Sequence, residues 1–339
     1  MNIIYLIVGL GLIFLAAELF TNAIEWFGKH FKISEGAVGS VLAAVGTALP
    51  ETTVALVAVI MGSSSHGQSA HTEAGIGAIL GAPMMLATLA MFITGASVLI
   101  FSKMGVRKPT IQADYAVVGR DLRSFFLVYM LALVAAVLPF RGGKIAIAFV
   151  LLGIYAIYVY RTFNCPECKN EEVEMRPLHF HRAAVTPKLR SVIAQLAAGI
   201  ALMLFGAHIF VEKVTIVAMA MGISPLVLSL IITPIATELP EKFNSITWMR
   251  HKKDTLALGN ITGAMVFQSS VLPAVGILFT PWHLNAQGIA SIVVAILATF
   301  IAWGDMTLRK RLSPWSLLVG GALYALYPIF VFGILPRLT

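Results

Sequence analysis

Two short stretches put glutamate where an acidic side chain costs most. In "GTALPETTVAL", Gly46 to Leu56, Glu51 directly follows Pro50 inside a long apolar run; "ATELPEKFNSI" repeats the pattern with Glu241 after Pro240 and adds Glu238 three residues earlier. An ionisable group in hydrocarbon costs roughly 2.5 to 3.5 kcal/mol even on lenient insertion scales. Proline breaks the helix ladder and frees carbonyl groups that something else must satisfy. A cation answers both needs. Thr47 and Thr237, four residues before Glu51 and Glu241, share their helix faces and would add hydroxyl or carbonyl oxygen. Hard cations such as calcium bind oxygens of this kind. Glu238 and Glu241 also share a face, and two carboxylates that close do not both stay ionised without a cation, so one would carry a proton when the site is empty. The residue types therefore predict ion ligands. HExxH, P-loop and Gly-x-Ser-x-Gly motifs are all absent, so the sequence offers no enzyme machinery.

The elements that must hold these residues are membrane helices. Of 339 residues 58% are hydrophobic and only 12% charged, and the mean hydropathy is +0.88, too little charge to cover water-facing surfaces. Apolar segments long enough for a bilayer core fall near 2–24, 36–62, 74–101, 124–140, 145–161, 190–212, 224–249, 255–280, 286–304 and 313–335. The first lacks a basic n-region and a small-residue cleavage site, so it reads as a spanning helix rather than a signal peptide. With the N-terminus outside, nineteen of the 24 lysines and arginines fall in inner loops; only Arg141, Lys144, Lys213 and Arg337 fall outside, and Lys242 lies within a span. That asymmetry predicts ten spans with both termini outside an inner (cell) membrane. It also accounts for the +8 net charge without nucleic acid as a partner.

The chain repeats itself. An offset of 190 residues aligns Gly9 with Gly199, Phe20 with Phe210 and Ile33-Ser34 with Ile223-Ser224, and continues without a gap to bring Leu49-Pro50-Glu51 onto Leu239-Pro240-Glu241. After a change of eight in the offset, "GAILGA" from Gly77 meets "GNITGA" from Gly259. Five spans per copy is an odd number, so the second copy must enter the membrane from the opposite side. The predicted architecture is all-α: ten transmembrane helices as two inverted five-helix repeats, 1–161 and 190–339, joined by a cytoplasmic linker over 162–189.

These paired motifs, each followed by a span with G-x-x-x-G, resemble the alpha-repeats of the cation/calcium exchanger superfamily, which includes the sodium/calcium exchangers. The resemblance implies an antiporter that binds inorganic cations between the second, third, seventh and eighth spans, with Glu51 and Glu241 as principal ligands and the first and sixth spans as long sliding helices. It implies transported ions, Ca2+ and Na+ or H+, rather than a bound cofactor. Departures from the family pattern are specific. The serine positions hold Ala48 and Glu238, the third span offers Ala78, Ala82, Pro83 and Leu86 in place of polar residues, and the eighth keeps Asn260 but has Ala264, Met265 and Gln268. The ligand set left is Glu51, Glu238, Glu241, Thr47, Thr237 and Gln268, which suits a divalent cation exchanged for protons or for fewer sodium ions. The alternatives are proton-coupled exchange of another divalent metal and a cation-binding membrane sensor without coupled transport. Lys242 could pair with a glutamate or face away and snorkel.

Other polar residues read more plainly. Glu18 aligns with His208, and the two could form a proton path or face water-filled crevices. Cys165, Cys168, His179 and His181 supply enough ligands for tetrahedral zinc, but the His-x-His spacing is not that of a finger, and the segment reads as a solvated linker.

Overall fold

The computed structural model describes residues 2–48, 52, 55, 69–164, 176–181, 186–220 and 238–334, and every regular element among them is helical. Helix α1 covers Asn2–His30 and α2 Glu35–Thr47. Helix α3 runs from Ser69–Met85 through a π-helical turn, Leu86–Ala90, into Met91–Lys103. Then follow α4 (Tyr115–Val137), α5 (Arg141–Phe163), α6 (Leu189–Ala220), α7 (Leu239–Arg250), α8 (Asp254–Phe279), α9 (Ala286–Arg309) and α10 (Pro314–Pro328), the last extended by a π-helical turn over Ile329–Ile334.

Among the described residues seven helices, α1, α3, α5, α6, α8, α9 and α10, are long and apolar enough to cross a membrane. Helix α4 starts nine residues before the predicted span at 124, because the Asp114 carboxylate caps it by accepting from the Ala116 and Val117 amides. A hydropathy reading begins where charge ends and so passes over Arg120, Asp121 and Arg123, which the fold accommodates by pairing. Apolar side chains such as Leu127, Phe149, Val150, Leu297 and Phe300 stand exposed on the outer helices, the covering that a lipid-facing surface requires.

Helix α8 is the axis of the bundle. It is buried on all sides through Ile277, and an all-round apolar helix is stable only as a core. Its crossing with α2 is backbone to backbone. A Cβ on Gly263 would overlap the Ser40 carbonyl, and one on Gly259 would lie 3.0 Å from Ser40 Oγ and 3.2 Å from Ser40 N. The second G-x-x-x-G thus lets two helices approach closely where no hydrophobic drive favours it.

Helices α1 and α6 form an outer antiparallel pair. At 29 and 32 residues they would be about 43 and 48 Å long, more than the roughly 30 Å hydrocarbon core. Their contact is reciprocal: a Cβ on Gly9 would meet Phe210 N at 3.2 Å, and one on Gly199 would meet Phe20 N at 3.1 Å.

Polar contacts tie each end of the bundle. At the end where α1 stops and α6 starts, Arg107 grips Asp254 through two nitrogens at 2.7 and 2.6 Å and donates to Met249 O, while Lys253 and Trp248 Nε1 both donate to Glu25. At the opposite end Arg141 donates to the Thr280 and Leu278 carbonyls, and Lys144 to Pro281 O and Trp282 O. Two of the few basic residues predicted outside are therefore held by the unpaired carbonyls that follow α8, the negative end of its dipole.

The stretch 176–181 is not the solvated linker that the sequence predicts. Leu178 is fully buried against Trp26, Phe27 and Val192, the Asn22 and Trp26 side chains donate to Arg176 O, and Gln195 Oε1 accepts from Phe180 N. The part of the linker described here docks on the overhanging ends of α1 and α6.

Replacing Gly263 by alanine is expected to cost at least about 1–3 kcal/mol through overpacking against the Ser40 backbone. Gly153→Ala, where the new methyl would find nothing within 4 Å, serves as the control. Thermal melting of the two purified variants in detergent checks this, and equal midpoints would contradict it.

Candidate functional site

The second Leu-Pro-Glu motif opens α7. Glu238 occupies the N-cap position and Pro240 the first turn, where a missing N–H costs no helix bond. Proline here starts a helix rather than kinking one. Glu238 and Glu241 consequently sit at the positive end of the α7 dipole, which favours carboxylates. Both are fully buried.

The two carboxylates differ in partners. Glu238 Oε2 lies 3.2 Å from Lys242 Nζ, and Lys242 also donates to Met85 Sδ at 3.4 Å. Lysine therefore pairs inward and does not snorkel. Glu238, expected as a free ligand, has one oxygen engaged by an internal ammonium, and its Oε1 has no partner among the described residues. For Glu241, no donor among the described residues reaches either carboxylate oxygen with bonding geometry.

Around Glu241 the helices converge. The Asn260 amide on α8 donates to Glu241 O at 3.5 Å, and its Oδ1 accepts from the Thr47 hydroxyl at 3.3 Å, so α2, α7 and α8 meet at one point. Thr47 and Glu241, predicted from opposite halves of the chain, are thus brought together through Asn260. That amide was missing from the predicted ligand set, although the G-N-x-x-G motif carried it. Asn244, one turn beyond Glu241, was also missed; it is fully buried, and neither amide atom has a partner among the described residues. Its i+3 spacing from Glu241 was the available signal. Gln268 is fully buried on α8, eight residues and about 12 Å along from Asn260. Glu51 and Thr237 lie outside the described residues, as do Cys165 and Cys168. Thr52, next to Glu51, is buried, and its hydroxyl has no partner among the described residues.

Most buried polar groups in folded proteins find partners. Here five of the eight buried oxygens without a partner among the described residues belong to the two Leu-Pro-Glu segments, on Thr52, Glu238, Glu241 and Asn244, and the other three are on Gln268, Thr299 and Tyr324. Among the described residues no three His, Cys, Asp or Glu side chains converge, so a carboxylate cage must draw on residues beyond them.

A second buried carboxylate is fully satisfied. Asp121 on α4 accepts from Ser40 Oγ at 2.6 Å, Thr262 Oγ1 at 2.8 Å, Tyr158 OH at 3.0 Å and Arg120 at 3.1 Å. It joins α2, α4, α5 and α8 and has no lone pair to spare for a transported ion; the role is to fasten the scaffold. Near the linker, Glu18 pairs with Arg176 at 2.7 Å, and His208 is exposed on α6, so the two do not form a proton path.

The described residues form an apolar helical bundle that encloses carboxylates, amides and hydroxyls. The chain belongs to the sodium/calcium exchanger protein family, whose model matches residues 1–164 and 191–335. It is 27% identical over 343 residues to the inner membrane protein YrbG of Escherichia coli, covering 96% of this chain and 98% of that one. It is 25% identical over 301 residues to an uncharacterized membrane protein of Methanocaldococcus jannaschii, covering 88% and 87%. The fold matches the structure of the sodium-calcium exchanger NCX_Mj, soaked with Na+ and Sr2+, at a TM-score of 0.74, with 22% identity and 98% of each chain covered.

Two outcomes are expected from these contacts. Asp121→Ala strands four donors and should cost about 3–5 kcal/mol of stability, whereas Tyr158→Phe removes one bond and should cost about 1 kcal/mol; melting curves of both variants test the ratio. His251, in the turn after α7, has its imidazole held below its ordinary value of 6.5 by burial and then by the Arg176 charge. The folded chain therefore prefers the neutral ring. Its contribution is intact above about 6.5 and is lost as pH falls through the lower folded value. Midpoints measured from pH 7 to 5 should fall more steeply for the wild type than for His251→Gln; parallel curves would contradict this.

Proposed function

We propose that the chain is a secondary antiporter that exchanges a divalent cation, with Ca2+ the first candidate, for Na+ or H+ by alternating access. The observation that carries this reading is that most of the unpartnered buried oxygens among the described residues lie on the two Leu-Pro-Glu segments, both Glu241 carboxylate oxygens included.

Exchange follows from the electrostatics of such a site. Uncompensated carboxylates in a low-dielectric bundle are too costly to carry through a conformational change empty. The site crosses only when loaded, either with one divalent cation on Glu51 and Glu241 or with monovalent cations in its place. Each direction of travel then requires cargo, and that requirement is coupling. Thr47 and Thr237 supply neutral oxygen at the breaks before each glutamate, and Gln268, Asn260 and Asn244 extend the polar lining.

The architecture in this reading is two inverted five-helix repeats of ten spans, with both termini outside and the linker cytoplasmic. It is supported by the gapless 190-residue offset, by the reciprocal Gly9–Phe210 and Gly199–Phe20 contacts that relate the two copies, and by the basic residues concentrated in the inner loops. The α1–α6 pair then brackets the site as the element that shifts between outward and inward access. Membership in the exchanger family and the fold shared with NCX_Mj, a protein named as a sodium-calcium exchanger, support the same cargo class.

The test is radiolabelled calcium uptake into calcium-loaded proteoliposomes under an outward sodium gradient, an outward proton gradient and no gradient. One of the ion gradients is expected to drive uptake and so to name the coupling ion. Glu51→Gln and Glu241→Gln should each lower the rate by about 100-fold or more, an effect of nearly 3 kcal/mol. Intact transport in either variant would sink the ligand assignment, and uptake under none of the gradients would sink calcium exchange.

A further inference from the structure

Lys242 is a charged residue in the apolar heart of a bundle, with 3% of its surface exposed. Among the described residues its ammonium bonds Glu238 Oε2 at 3.2 Å and the Met85 thioether at 3.4 Å. A thioether is a weak acceptor and carries no charge. Compensation therefore falls to Glu238, which lies one helical turn earlier with the acid N-terminal to the base, the favourable order. Because both groups belong to α7, the pair travels with that helix and does not depend on a neighbour for its geometry.

The wall opposite matters as much. Along α3 next to Met85 stand Ala82, Pro83, Met84 and Leu86, and Ala82, Met84 and Leu86 are buried hydrophobics. From α3 the contact shown to the ammonium is the Met85 thioether, and the neighbouring Ala82, Met84 and Leu86 carry no side-chain oxygen. The volume beside Glu238 on that side holds the lysine head instead.

We infer that the Lys242 ammonium is a resident counter-cation: tethered beside Glu238, it takes the place of one monovalent ion and lowers by one the positive charge that the site must draw from solution. The inference rests on the exchange reading and sharpens it. With Glu238 compensated internally, the charge left to neutralise is that of Glu241 and the matching Glu51, so one divalent cation balances two monovalent ions. Exchange should then move no net charge. The lysine also sets specificity: a fixed positive head beside Glu238 excludes a second cation there.

Four proteins decide it: wild type, Glu238→Gln, Lys242→Met and the double variant. In proteoliposomes, wild-type calcium flux is expected to change less than about twofold when a potential of about 100 mV is imposed with potassium and valinomycin, since a carried charge would feel that field. Lys242→Met frees Glu238 and should raise the Hill coefficient for the driving monovalent ion by about one. A wild-type flux that changes about tenfold or more with potential, or a Lys242→Met variant with unchanged ion dependence, would overturn the inference.

Should Lys242→Met fail to fold, equilibrium binding of radiolabelled calcium to the other three proteins in detergent gives the answer. Glu238→Gln leaves the ammonium uncompensated and is expected to bind at least about tenfold more weakly, and removing the lysine as well should recover most of that loss. A double variant as weak as Glu238→Gln would make Glu238 itself the ligand and overturn the counter-cation role. Binding reads the lysine even if transport is absent, so failure of exchange and failure of the inference give different results. A wild type that binds no calcium, strontium or manganese would overturn both.

Discussion

Compensation of buried charge governs this molecule. In an apolar bundle an ion without a partner is costly, so each interior carboxylate needs an answer close by. Asp121 finds it in Arg120 and three hydroxyls, Asp254 in Arg107, Glu25 in Lys253 and Trp248, and Glu238 in Lys242. Each answer also joins separate helices or stiffens the start of one. Glu241 differs, since no described donor meets its carboxylate oxygens with hydrogen-bonding geometry. The contrast separates scaffold from site more sharply than burial does, because all of these groups are buried.

The same constraint explains the packing. Lipid does not press helices together as water does, so close backbone approach must supply the attraction. Gly259 and Gly263 bring α8 onto Ser40 of α2, and that approach sets Thr47 and Asn260 at hydrogen-bonding distance. Gly9 and Gly199 do the corresponding work between α1 and α6. Where helices emerge beyond the apolar zone, charged side chains replace glycine as the fastening, and the docked 176–181 stretch covers the overhanging ends.

Much of this was legible in the sequence for a physical reason: hydrocarbon imposes rules strong enough to read residue by residue. Helix length, apolar composition and the cost of a buried acid are local, and they pointed to helices in a membrane and to the two Leu-Pro-Glu motifs as the chemically active places. The 190-residue offset between the motifs is likewise a property of the chain alone. Boundaries were less secure. The start of α4 depends on a capping carboxylate at Asp114 and on Arg120 and Asp121 finding partners, which hydropathy does not weigh.

What only the tertiary structure decided was pairing. Nothing in the order of residues said that Lys242 turns toward Glu238 and Met85, that Asp121 gathers hydroxyls from three other helices, that Asn260 links Thr47 to the backbone of Glu241, or that Glu18 meets Arg176 rather than His208. Each is a choice among partners distant in sequence, apart from the i, i+4 pair on α7, where both directions were open. The cost of burying a charge is written in the sequence; the group that relieves it is set by which helices approach, and that depends on side-chain volumes along the whole contact.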